Sequence, residues 1–151
     1  MKKSILLLAF TLSILSCSKS DDDNSEKQLA VTKQNLAGQW NFETITRFNG
    51  SSQTFHSYSC TTVNDYADIN SIGNIYTYNY GNNCVASTNN GCSQFNLDSN
   101  NRIINCGLIF GDARVTELTA TRLKIEYDTP KDLGFMCDIL DAKSILFLKR
   151  P

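Results

Sequence analysis

Residues that carry chemistry are scarce in this 151-residue chain, and each scarcity removes a class of function. It holds a single histidine, His56, so a Cys-His dyad or a Ser-His-Asp triad would rest on that one side chain. His56 lies in a run of Ser, Thr and Tyr, which is ordinary surface composition, and the protein is expected not to be an enzyme. No Cys-x-x-Cys spacing occurs, which argues against a zinc ribbon or a thioredoxin-like redox pair. Calcium-loop spacing and Gly-x-Gly-x-x-Gly are both missing, so neither a metal nor another cofactor is expected. Asp65 and Asp68, three apart on a predicted strand, face opposite ways and make a poor acid/base pair. The basic residues are scattered singly and leave no footprint for nucleic acid. No apolar run reaches the roughly 20 residues of a membrane-spanning helix, and nothing after the N-terminal run sustains a long 3.6-residue period.

That N-terminal run is the most informative stretch. Met1, Lys2 and Lys3 precede Ile5 to Leu15, a charged start and an apolar segment of signal-peptide length. It ends in Ile14-Leu15-Ser16-Cys17, which resembles the lipobox of bacterial lipoproteins. The resemblance implies that residues 1–16 are removed and that Cys17 carries the lipid. More than one acyl chain makes a stable anchor, so a membrane is an expected partner. Residues 17–28 read as a flexible acidic tether, because Ser18 to Gln28 contains no aromatic or branched aliphatic side chain to bury. Within it, Ser20-Asp21-Asp22-Asp23 resembles the export signal of surface lipoproteins in one group of Gram-negative bacteria. That likeness implies an outer-membrane protein exposed at the cell surface; a merely solvated linker is the plainer reading. Residues 29–151 have the size of one domain.

Cys60, Cys84, Cys92, Cys106 and Cys137 remain after Cys17. Export places them where disulfides persist, and their odd number leaves at least one without an internal partner. Cys84 and Cys92 bracket the Asn/Ser/Gly loop Val85 to Gly91 and could staple its base; Cys60 and Cys84 flank two predicted neighbouring strands and could equally be joined.

Alternation of aromatic or β-branched residues with polar ones predicts strands at Trp40 to Phe48, Ile75 to Tyr80, Ser93 to Leu97, Arg102 to Phe110 and Leu123 to Tyr127. Thr54 to Cys60, Asp65 to Asn70, Val115 to Leu118 and Ser144 to Lys149 complete the set, the last apolar on both faces. Asn49-Gly50 is a hairpin turn signal, and Pro130 to Asp141 reads as a loop. A single short helix is predicted in Val31 to Ala37, capped by Thr32 and stopped by Gly38. About eight short strands joined by turns predict an all-β fold, and a small antiparallel up-and-down barrel fits the length.

The entry Leu36-Ala37-Gly38-Gln39-Trp40 resembles the start of the lipocalin-like domains carried by many short bacterial lipoproteins. Val115 to Thr119 with Arg122 to Ile125 is similar to that family's penultimate hairpin, and Leu146 to Arg150 to its closing strand. The resemblance implies a lipocalin-like barrel over 29–151 and a Cys60–Cys84 bond. It also implies a contact at the barrel end between Trp40 and the basic Arg150. Function is then expected to be non-catalytic: binding of a small apolar or amphipathic ligand, with the aromatic stripe Tyr76, Tyr78 and Tyr80 as candidate contacts. The alternative is an interaction module whose loops, Asn82 to Gly91 and Pro130 to Asp141, meet another envelope protein or a host molecule. The anchor assignment has a direct check: Cys17→Ser should abolish metabolic labelling with fatty acid and release the protein from membranes. Persisting label or persisting membrane association would remove it.

Overall fold

A computed structural model describes residues 26–55, 60, 63–133 and 139–149. The helical turn α1 (Lys33–Leu36) is followed by β1 (Gly38–Arg47), β2 (Ser52–Thr54), β3 (Tyr66–Ile69), β4 (Ile75–Tyr80) and β5 (Ala86–Cys92). Next come β6 (Asn96–Leu97), β7 (Ile103–Ile104), β8 (Arg114–Leu118), β9 (Arg122–Lys131) and β10 (Ala142–Lys149). Eight strands form one sheet in the order β5-β4-β3-β1-β10-β9-β8, with β2 also on β1, and β6 and β7 make a separate pair. All pairings are antiparallel.

Strand β1 is the organiser. One edge pairs with β10 along the length of the strand, while the other is shared, Gly38 to Asn41 with β3 and Thr44 to Thr46 with β2. A register shift between Phe42 and Thr44 changes which parity faces inward. Trp40, Phe42 and Ile45 are therefore buried. Strict alternation would have put Thr44, Thr46 and Phe48 on that face; a bulge shifts every later side chain by one.

The motif Leu36-Ala37-Gly38-Gln39-Trp40 closes one end of the sheet. Thr32 Oγ1 accepts from the Asn35 amide at 3.1 Å and caps α1. Leu36 is buried and its carbonyl accepts from Trp40 Nε1 at 2.8 Å. Gly38 has φ +138, and a Cβ there would lie 2.8 Å from Lys149 Cε and Nζ, so glycine leaves room for the lysine. Lys149 Nζ sits 4.8 Å from the centre of the Trp40 ring and donates to Ala37 O at 3.1 Å. Lys149 is a cation over the tryptophan; Arg150, the contact expected from the sequence, lies outside the described residues. In the ladder Lys149 is directly opposite Trp40.

Closure into a barrel is not observed. β5 and β8 are the sheet's two edges, and no ladder joins them among the described residues. Of the predicted strand Arg102 to Phe110 only Ile103–Ile104 is extended, and Leu108–Phe110 forms a 3₁₀ turn. Asn101 and Asn105 on either side of β7 take φ of 60°, a left-handed conformation that interrupts a strand. The irregular segment instead touches both edges. Ile103 N donates to Ala113 O at 2.8 Å and Val115 N to Asn101 O at 3.0 Å on the β8 side. Gly107 N donates to Gly91 O at 3.2 Å on the β5 side.

A continuous apolar cluster forms the core. Phe42 packs against Phe55 and Phe147 at ring separations of 4.7 and 4.8 Å, and Phe110 lies 5.7 Å from Phe147. Trp40, Phe95, Leu118 and Ile145 belong to the same cluster, each fully buried side chain of this size contributing about 1.5–3 kcal/mol.

Among the described residues two disulfides are present. Cys60 is bonded to Cys84, so Cys84 does not staple the loop to Cys92. Cys92 bonds Cys106, a pair that spacing alone did not single out. Together they bracket β5, a strand of Ala, Ser, Thr, Asn and Gly that was predicted as a loop for want of apolar alternation. Its hydrogen bonds come from β4, and covalent bonds at both ends do what side-chain burial does elsewhere. Each cross-link removes denatured-state entropy, about 3 kcal/mol for a loop near the 14-residue span of Cys92–Cys106. Replacing Cys92 and Cys106 together by Ala should lower stability in urea by about that amount; an unchanged unfolding midpoint would show that the bond does not hold the β5 edge.

Candidate functional site

The sheet has two unlike ends. β1, β4 and β9 run from the α1 end to the far end, and β3, β5, β8 and β10 run back. At the α1 end the entering chain is clasped by the β8–β9 turn. Leu29 N donates to Leu118 O at 2.7 Å, and the Glu26 carboxylate accepts from the Thr119 hydroxyl and, at 2.8 Å, from Thr121 Oγ1. The tether expected to extend to residue 28 is therefore bound to the domain from Glu26 onward. A composition argument misses this because the contact is made by polar side chains that are adjacent only in the fold.

The far end carries the exposed groups. Phe48 after β1, Val85 before β5 and Leu140 before β10 are 40%, 66% and 67% exposed. Phe48 N donates to Asp141 O at 3.1 Å, and Arg47 and Asp141 form an ion pair at 3.4 Å, so Phe48 and Leu140 sit on adjoining backbone. One large apolar side chain, Ile72 at 62%, is exposed in the β3–β4 turn at the α1 end. The bulge in β1 is what turns Phe48 outward. Alternation read from the sequence placed it with the core.

At the same end a cleft of about 370 Å³ opens between Arg102, Gly111, Asp112, Tyr127, Asp128 and Lys131. Asp128 is bridged by Arg102 and, at 3.2 Å, by Arg114. The Arg102 hydrogen bond holds the Asp128 carboxyl below the usual carboxylate range. Such a group stays ionised and anchors cations; a general base needs a pKa near the working pH. Lys131 Nζ donates to Gly111 O at 3.2 Å above the Tyr127 ring, and the Tyr127 hydroxyl donates to Ile109 O at 2.5 Å. These contacts tie β9 to the irregular segment, and the cleft is lined by polar and charged groups.

The tyrosine stripe lies elsewhere. Ile75 and Thr77 are buried while Tyr76, Tyr78 and Tyr80 face outward on β4. Tyr66 is directly opposite Tyr78 in the ladder, and their rings stack at 4.5 Å, with Tyr80 6.4 Å from Tyr66. Tyr80 N also donates to the buried Asp65 carboxylate at 2.8 Å. Tyr66 and Tyr78 thus spend ring area on each other across the strands. His56, Cys17 and Cys137 lie outside the described residues. Among the described residues no group of three or more His, Cys, Asp or Glu side chains is placed to hold a metal, and no helix is long and apolar enough to cross a membrane.

Comparison with protein-family models, curated proteins and solved structures finds no match for this chain.

The clasp at the α1 end has a pH signature. Hydrogen bonds from Thr119 and Thr121 hold the Glu26 carboxyl below its ordinary value of 4.5. Its contribution is therefore complete above that value and is lost as pH falls through the lower folded one. The Thr121 amide resonance should titrate with a midpoint below 4.5, and Glu26→Gln should abolish the titration; a midpoint at or above the ordinary value would sink the clasp.

Proposed function

We propose that this is a lipid-anchored, surface-exposed envelope protein whose lipocalin-like domain is a non-catalytic interaction module, meeting another envelope protein or a host molecule through its far end. The observation that carries the reading is the occupied interior. Phe42, Phe55, Phe110 and Phe147 fill the space where a small apolar ligand would be held, so apolar contact area is offered outside, at Phe48, Val85 and Leu140. A lipid on Cys17 would draw the α1 end toward the membrane, since Glu26 and Leu29 are fastened there. The far end would then point away from the membrane, carrying both these apolar side chains and the charged cleft of Arg102, Asp112, Asp128 and Lys131. Exposed apolar anchors together with charged groups suit a protein surface.

The lipocalin-like assignment is supported by the part each motif plays. Leu36, Gly38 and Trp40 build the covered end, Arg114–Leu118 and Arg122–Lys131 form a hairpin, and the last strand pairs with the first.

Photo-activatable residues at Phe48, Val85 and Leu140 on intact cells should give a discrete protein adduct, and the same probe at Ile72 should not. Phe48→Ser combined with Leu140→Ser should weaken that contact roughly tenfold or more with the fold retained. Equal labelling from both ends, or a small molecule co-purifying with the folded domain, would retire the reading.

A further inference from the structure

The two edges of the main sheet are treated differently. Along β8, Val115 N donates to Asn101 O, Arg102 bridges to Arg114, and Leu118 O accepts from Leu29 N, so the chain covers that edge near both ends. Along β5, Gly91 and Cys92 are tied to Gly107 and Cys106. Among the described residues nothing pairs with the outer edge of Ala86, Ser87, Thr88 and Asn89, and their side chains are exposed. An open strand edge is a template for another strand, and proteins usually block one with charges, proline or inward-turned charged residues. None of these is present. From Ile69 to Leu97 there is no Asp, Glu, Lys, Arg, His or Pro.

We propose that β5 pairs antiparallel with β5 of a second copy of this chain, about a two-fold axis at Thr88. The reason lies in what the strand lacks. A charged edge repels its own copy while still accepting an oppositely charged partner, so a charge-free edge is the composition that permits self-pairing. With the axis at Thr88, Thr88 meets itself and Ser87 meets Asn89. Hydroxyl and amide side chains in such cross-strand positions can hydrogen-bond to each other. The Cys60–Cys84 and Cys92–Cys106 bonds hold both ends of β5 before a partner arrives, which lowers the ordering cost of pairing. A contact of a few residues buries well under about 1,000 Å², so the association should be weak and favoured where copies are concentrated. This inference does not depend on the far end having a partner.

The test is position-specific cross-linking of the full chain in its own membranes. Directly opposed residues in an antiparallel pair lie about 4.5–5.5 Å apart, within disulfide reach. Thr88→Cys should therefore give a reducible dimer, beyond any that the unsubstituted chain forms. Ala86→Cys should give little, because two copies of residue 86 would stand roughly 13 Å apart along the strands, and Thr121→Cys at the α1 end should give none. Co-expressed Ser87→Cys and Asn89→Cys chains should cross-link with each other. No dimer from a Thr88→Cys chain whose thiol reacts with maleimide would overturn the proposal. Equal yields at all positions, or a disulfide from Thr88→Cys to a different protein, would do the same.

Discussion

Ten residues of β1 carry three ladders at once, and every other element takes its place from that strand. Its first half is pinned by Trp40, whose indole N–H reaches back to Leu36 O while Lys149 covers the ring. Its second half follows a bulge that swaps the inward parity, so that Ile45 enters the core and Phe48 leaves it. One irregularity thus separates a covered end, built of α1, Trp40 and Lys149, from an end that displays apolar side chains. A strand without the bulge would bury Phe48 and present a different far end.

The core and the seam are held by different physics. From β1 to β10 and β9 the inward residues are large and apolar, and burial alone accounts for the pairing. Toward β5 the side chains become small, polar and exposed, and ladder hydrogen bonds by themselves are a weak net source of stability. The two disulfides fall at the ends of that strand. They belong to the part of the fold with the least hydrophobic support, and they fix an edge that burial could not. Such bonds persist where the surroundings are oxidising.

The sequence by itself determined the all-β antiparallel character and the short capped helix, which follow from periodicity and capping readable within a few residues. The closing of the last strand on the first and a cation over the tryptophan were implied by the family resemblance. Periodicity gave no warning that Ala86–Cys92 is a strand, because a partner's edge rather than its own side chains supplies the hydrogen bonds. Arg102 to Phe110 misled in the opposite sense: its apolar alternation is real, but left-handed asparagines interrupt it. The candidate site was legible only as two loops, and their neighbourhood at one end was not. Which parity of β1 faces inward, whether the sheet edges meet and which cysteines bond are set by contacts between residues far apart in the chain. Register along β1, the path of the irregular segment and cysteine geometry are decided only when the whole sheet is assembled, and tertiary structure alone fixes them.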